Sequence, residues 1–344
     1  MPNESNKPPV QEEEILSFLE KEDEKYGKNS NQSAAPIEPR KEEPSFTGLG
    51  QAISTQFQST VAGANDNYWK NIPLENLPSA GMFYADGSEL TIRAATVAEI
   101  RHWSTIDESD VLDIDDQLNF IIEKCVRFKV NGGQSWLSWR DIAEIDRLYI
   151  VFLIHEITFP EGQNELFTKF ECTGTCSEDG RFNDDVKVNS SMLQLFEMPQ
   201  ELMQWYSPQY KCFEVVSSKL NETFYLYMPT IGVIERLRKR IAESRYSGQQ
   251  PDKAFIKMAP YLIQDWSKFN AEQYSSLANN SYGWHVNKFT FFTKFVEQMQ
   301  EARDNVVSTG CPKCGAKLTT TIFSRDSFTI KDLFLISGRL DQLV

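Results

Sequence analysis

Four of the six cysteines fall in two close pairs, Cys172-Thr173-Gly174-Thr175-Cys176 and Cys311-Pro312-Lys313-Cys314-Gly315. Two thiolates two or three residues apart on a tight turn can aim both sulfurs at one ion, and zinc takes four such soft ligands tetrahedrally. The Pro312-Lys313 interval and Gly315 suit that turn, because glycine admits the left-handed backbone that lets amides approach sulfur. A site made of Cys172, Cys176, Cys311 and Cys314 would hold a structural Zn2+ and leave no position for substrate. Two disulfides are an alternative that needs an oxidising compartment; four thiols in unrelated places are another. A redox Cys-x-x-Cys normally opens a helix, whereas Gly315-Ala316-Lys317-Leu318-Thr319-Thr320-Thr321-Ile322 has the make-up of a strand. The pairs are much farther apart than the halves of an ordinary zinc ribbon. A shared ion therefore requires residues 177–310 to form a closed excursion from one split ribbon.

Other chemistry is sparse. Of the three histidines, His102 and His285 adjoin tryptophans and His155 ends an apolar run. Packing or hydrogen bonding is the expected role of each, with His155 an outside candidate for a metal ligand if Cys172 or Cys176 is not one. Phosphate-cradling, dinucleotide-binding and nucleophile-elbow motifs are absent from the sequence. Asp115-Asp116 and Asp184-Asp185 point in different directions along the chain and are expected to be surface charge. Cys125 and Cys212 are expected to be buried thiols. No enzyme is expected.

The elements that must position the cysteines follow from composition and period. The chain has 344 residues, 40% hydrophobic and 12% aromatic, enough for a sizeable core. Its net charge of −14 disfavours binding to nucleic acid or acidic lipid. No apolar run reaches the length of a membrane span. The opening Met-Pro-Asn-Glu-Ser has no secretory character, so a reducing compartment is expected.

The expected fold class is α+β, mostly helical with short antiparallel strands, a split zinc ribbon and a disordered N-terminal arm. Residues 1–65 are that arm: acidic, poor in aromatics, and unable to offset their ordering entropy by burial. Ile15, Leu16, Phe18 and Leu19 mark a short docking helix near 12–25, and Phe46 to Phe57 a weakly apolar patch. Residues 66–165 form an N-terminal α+β domain. In it, Ser79-Ala80-Gly81 makes a sharp turn, Asp86-Gly87 turns a hairpin into Glu89–Arg93, and Thr96 with Glu99 forms a capping box. Helices follow over Asp110–Val126 and from Ser138-Trp139-Arg140-Asp141 onward, separated by Asn131-Gly132-Gly133 and ended by Pro160-Glu161-Gly162.

The ribbon halves occupy 166–190 and 306–325. An alternating strand, Glu165–Glu171, delivers Cys172, and Asp179-Gly180 turns the chain back along Phe182–Val188. Residues 191–305 form an inserted α+β and helical domain. It contains a hairpin turning near Leu220-Asn221, an amphipathic helix over Ile231–Ser244 and more helix broken at Gly283-Trp284-His285. Arg236, Arg238, Lys239 and Arg240 are expected to form a solvated face of that helix, with a docking site for an acidic partner as the alternative. Leu90–Ile100 and Phe224–Ile234 echo each other as strand, threonine N-cap and helix, by chance or as a duplicated unit. Residues 326–344 form a C-terminal docking tail, with a short helix over Phe328–Phe334.

One resemblance enters here. The run Ile72-Pro73-Leu74-Glu75-Asn76-Leu77-Pro78-Ser79-Ala80-Gly81-Met82-Phe83-Tyr84 is similar to the opening of the baseplate hub proteins of T-even-type contractile-tailed phages. Their pattern places Leu-Pro-Ser-x-Gly and an aromatic ahead of a strand and a threonine-capped helix. The knuckle Cys172–Cys176 and the strand Tyr225 to Ile234, ending in Pro229-Thr230 before a helix, also look like relatives of that family. The resemblance covers roughly residues 70–240 and the second knuckle. It implies a non-enzymatic virion protein, built into the tail baseplate in the host cytoplasm. Its implied partners are other baseplate proteins, with the N-terminal arm ordering on a neighbouring subunit and zinc as a staple. The other reading is a zinc-ribbon adaptor binding nucleic acid or a polymerase. That reading calls for clustered bases near the knuckles, where only Lys169, Arg181, Lys187, Lys313 and Lys317 lie among several acids.

Overall fold

A computed structural model of the chain describes residues 69–130, 136–159, 164–172, 174, 176, 183–246, 252–323 and 327–335. The expected arm with its helix near 12–25 and its apolar patch lies outside the described residues, as do the turns at 131–133, 160–162 and 179–180. Among the described residues the fold is helices with short antiparallel strands in small sheets. No described helix is long and apolar enough to cross a membrane.

The first sheet has four antiparallel strands in sequence order: β1 (Lys70–Ile72), β2 (Ser88–Ile92), β3 (Val126–Val130) and β4 (Trp136–Leu137). Leu90 and Ile92 alternate inward on β2 and are fully buried, with Phe128 beside them. The capping box at Thr96 forms: its N–H donates to Glu99 Oε2 at 2.6 Å and opens α1 (Val97–Trp103). Arg93 forks onto the same carboxylate. Asp110 caps α2 (Val111–Cys125), which buries Leu118, Ile121, Ile122 and Cys125 at helical spacing.

Two expectations fail here for tertiary reasons. The strand paired with β2 through the Asp86-Gly87 side is not the preceding segment; β2 pairs with β1, across a strap of turns over residues 73–87. In that strap Ala80 and Gly81 take positive φ, which places the Ser79 side chain and N–H on one carboxylate. Ser79 N and Oγ donate to Asp146 at 2.7 and 2.6 Å, and Tyr84 Oη donates to it at 2.6 Å. Secondly, the helix expected from Ser138 begins later, as α3 (Glu144–Thr158). Ser138 and Asp141 instead cap a single 3-10 turn over Trp139–Asp141. Ile142 and Ala143 stay extended because their backbone is used elsewhere: Ile142 O accepts from Ile231 N, and Ala143 bridges Thr230.

The middle of the chain builds three small sheets. β5 (Phe167–Glu171) pairs with β6 (Asn183–Lys187). β7 (Leu193–Gln194) lies on one side of β11 (Val306–Gly310), with β12 (Lys317–Thr321) on the other. After α4 (Gln200–Met203), β8 (Tyr206–Ser207), β9 (Cys212–Ser217) and β10 (Glu222–Leu226) form a meander that turns at Asn221 in positive φ. Thr230 then accepts from Val233 N and opens α5 (Ile231–Tyr246), so both halves of the sequence echo adopt strand, threonine cap and helix. α6 (Lys253–Met258), α7 (Ala271–Tyr282) and α8 (Val286–Glu301) complete the described helices. Val233 and Leu237 of α5 share a small satellite core with Phe255, Ala259, Ile263 and Phe269. Gly232 lets Trp266 and Arg140 approach α5, since a Cβ there would lie 2.6 Å from the indole.

The described residues form one compact unit, whose main buried core runs from Leu77 to Phe334. The described part of the expected docking tail docks on the chain itself. A 3-10 turn over Lys331–Phe334 buries Leu333 and Phe334, the latter edge-on to Trp103 at 5.0 Å, while residues 336–344 lie outside the description.

Charges expected on the surface are partly interior. Asp115 is buried and pairs with Arg147 at 2.7 Å and with Arg238. Arg236 donates to Phe269 O at 2.7 Å, and burial lowers the Arg238 guanidinium to about 10. Of Arg236, Arg238, Lys239 and Arg240, Lys239 alone is exposed. Asp184 and Asp185 are exposed, as expected.

Asp146 gives a pH test. Burial raises its carboxyl to about 6 from an ordinary 3.8, against the pull of its three donors, and nearby Glu144 adds to the rise. Between those values the folded chain keeps a proton that the unfolded chain has lost, so this group's contribution to stability falls as pH rises from about 4 to about 6. Denaturant melts of wild type and Asp146→Asn should show a stability difference that declines across that window. A flat difference would mean that Asp146 is not buried as described.

Candidate metal centre

The period of β5 places the first ligand. Thr168, Phe170 and Cys172 alternate inward while Phe167, Lys169 and Glu171 face out. Cys311 follows β11 directly, and the turn after it closes on itself: Cys311 N donates to Ala316 O and Gly315 N to Cys311 O, each at 2.8 Å. Gly315 holds φ +73 at that turn, the left-handed position the sequence assigned to it. β12 then leaves antiparallel to β11 and packs against β5, which brings the two knuckles together.

The four sulfurs meet. Cys172 Sγ lies 3.6 Å from Cys176 Sγ and 3.6 Å from Cys314 Sγ, and Cys176 Sγ lies 3.7 Å from Cys311 Sγ. All four are within 4.8 Å of one another. A tetrahedron with metal–sulfur bonds of about 2.3 Å has edges of about 3.8 Å, so these spacings suit a metal such as zinc. A disulfide needs sulfurs about 2.05 Å apart, and all six cysteines are free. Cys172 and Cys311 are buried; Cys176 and Cys314 are half-buried.

The electrostatics point the same way. Backbone N–H groups are directed at the sulfurs: Gly174 N donates to Cys172 Sγ at 3.4 Å, and the Ala316 amide, the largest influence on Cys314, lowers that thiol to about 6. Cys176, facing Cys314 first and then its other sulfur neighbours, is pushed up to about 12. The thiols of one cluster are thus driven apart, since neighbouring thiolates repel and only some can ionise together. A divalent cation at the centre removes that conflict, and a coordinating thiol is deprotonated outright.

The sequence missed the small residues that permit the approach. A Cβ on Gly174 would lie 2.7 Å from Ala316 Cβ and 3.2 Å from Cys314 Sγ. The one available signal was the glycine midway between the first two cysteines. Nor does the site gather further ligands: among the described residues the cluster comprises the four cysteines alone. His155 is buried against Phe159 and Phe334, with Nε2 at 3.1 Å from Asn164 O, and burial lowers its pKa. His102 packs at a tilt against Phe120 with centroids 4.0 Å apart, and His285 caps α8 through Nδ1. Cys125 and Cys212 are buried away from the cluster, and burial pushes Cys125 up to about 12.

No family model matches the chain, no curated protein matches it, and no solved structure matches it.

Crowding at Gly174 is testable. Gly174→Val should destabilise the fold by about 1–3 kcal/mol, the usual cost of overpacking, read as a lower denaturation midpoint. Unchanged stability would mean that the knuckles do not touch there.

Proposed function

We propose that this chain is a structural component of a contractile-tailed phage baseplate, at or near the hub, with Zn2+ as a structural staple. The observation that carries the proposal is the closed set of four sulfurs, Cys172, Cys176, Cys311 and Cys314. It supplies four ligands and leaves none open, the arrangement of a structural rather than a catalytic zinc. Bound there, zinc would link the β5–β6 hairpin to the β11–β12 hairpin and close residues 177–310 into one excursion. The remaining support is the resemblance of residues 72–84 to the hub family. In this chain that run is the strap whose Ser79 and Tyr84 hold Asp146. The chain acts through protein–protein contacts in baseplate assembly, and its net charge of −14 weighs against the nucleic-acid adaptor reading.

Elemental analysis of the purified protein should return about one zinc per chain. Cys314→Ser should abolish stable folding or lower the melting temperature severely, because structural zinc contributes folding free energy on the order of 10 kcal/mol. Chelator-treated protein that melts as before would sink the staple. The baseplate role has a separate test: the protein should co-sediment with purified tails from infected cells. Its absence from the tails would overturn that role and leave the zinc site standing.

A further inference from the structure

Away from the cysteines, the chain has a cleft of about 350 Å³ between the strap and β7. Its lining includes Asn76-Leu77-Pro78, Tyr149 and the unbroken run Leu193–Glu197. Successive side chains of an extended segment point to opposite sides, so five consecutive residues line one cleft only by presenting their backbone. Leu195 confirms the geometry, its side chain being buried in the core. β7 is the edge of its sheet, paired on one side with β11 and, among the described residues, unpaired on the other, and both of its residues line the cleft. The run ends where Glu197 N turns away to donate to Ala302 O at 3.0 Å.

The lining of the cleft includes the exposed carboxylates of Glu197 and Asp304 and no lysine, arginine or histidine, while Lys317 reaches its β7 side and donates to Gln194 Oε1 at 3.0 Å. The adjacent Arg303 is committed to Glu144 at 2.7 Å.

We propose that this cleft is a docking site for an extended, basic segment of a partner protein, which adds a strand to the edge of β7 left unpaired among the described residues and sets a Lys or Arg between Glu197 and Asp304. Edge-strand addition draws affinity from main-chain hydrogen bonds and selectivity from alternate side chains. Here a basic side chain of the added strand meets the carboxylates of Glu197 and Asp304. The proposal does not rest on the baseplate role: either fails without affecting the other.

The test uses the full chain and a fluorescently labelled hexapeptide, acetyl-Thr-Val-Lys-Val-Thr-Val-amide, followed by polarisation. Saturable binding is expected, weakened at least tenfold when the peptide lysine is replaced by glutamate. Glu197→Lys and Asp304→Lys should each weaken it by a similar factor while leaving the melting curve unchanged, since both side chains are exposed. A peptide N-methylated on alternate residues, unable to pair with a strand, should not bind. No saturable binding, binding indifferent to both charge reversals, or equal binding of the N-methylated peptide would each overturn the proposal. Competition by a free polyamine with no contribution from the peptide backbone would also overturn it, because it would mark a cation site rather than a strand site.

Discussion

The convergence of four sulfurs constrains the rest of this fold. Two hairpins separated by more than a hundred residues must return to within a few ångströms of each other, and closing so long a loop has an entropic cost that the intervening structure has to offset. It does so by packing. β7, the first strand after the knuckle hairpin, attaches to β11, the strand that delivers Cys311. α8 buries Phe292, Phe295, Val296 and Met299 just before the chain re-enters β11. The excursion is therefore held at both of its ends by strand pairing and along its length by the main core. The sulfurs sit at the seam, where mutual repulsion among thiolates makes the cluster unfavourable without a compensating cation.

A second set of constraints is buried and polar. Asp146 lies inside the protein with Ser79 and Tyr84 donating to it, and each donor is itself supplied: Gly81 N donates to Ser79 Oγ and Ala143 N to Tyr84 Oη. Relays of this kind satisfy a carboxylate that burial would otherwise penalise. A neighbouring network ties α2, α3, α5 and the segment after α8 through Asp115, Glu144, Arg147, Arg238 and Arg303. Buried ion pairs add little net stability, yet removing one partner is expensive because the other is left uncompensated. The network thus acts on the choice of arrangement: helices slid by one turn would strand a charge in the core.

What could be seen beforehand depended on how local the signal was. The Thr96 box, the inward alternation of Thr168, Phe170 and Cys172, the Asn221 turn and the left-handed Gly315 each rest on a few neighbouring residues, and each formed as their spacing implies. The four metal-ligand candidates were legible for the same reason, since a pair of cysteines on a tight turn has little other use in a chain of this kind. Asp115, Arg236 and Arg238 were misjudged because charge in sequence looks alike whether solvated or paired. Only the helix packed against it reveals which.

The sequence by itself determined the elements and the chemistry of the donor set: which residues cap, which alternate, and which sulfurs can bind a soft metal. Those properties come from torsional preferences and side-chain chemistry acting over three or four residues. Tertiary structure alone decided that the two cysteine pairs share one centre, that β2 pairs with β1 across a strap, and that α3 waits until Glu144 because Ile142 and Ala143 are already bonded to the start of α5. Each of those outcomes turns on a backbone or charged group satisfied by a residue far away in the chain, and a buried group takes whichever partner the whole fold brings to it.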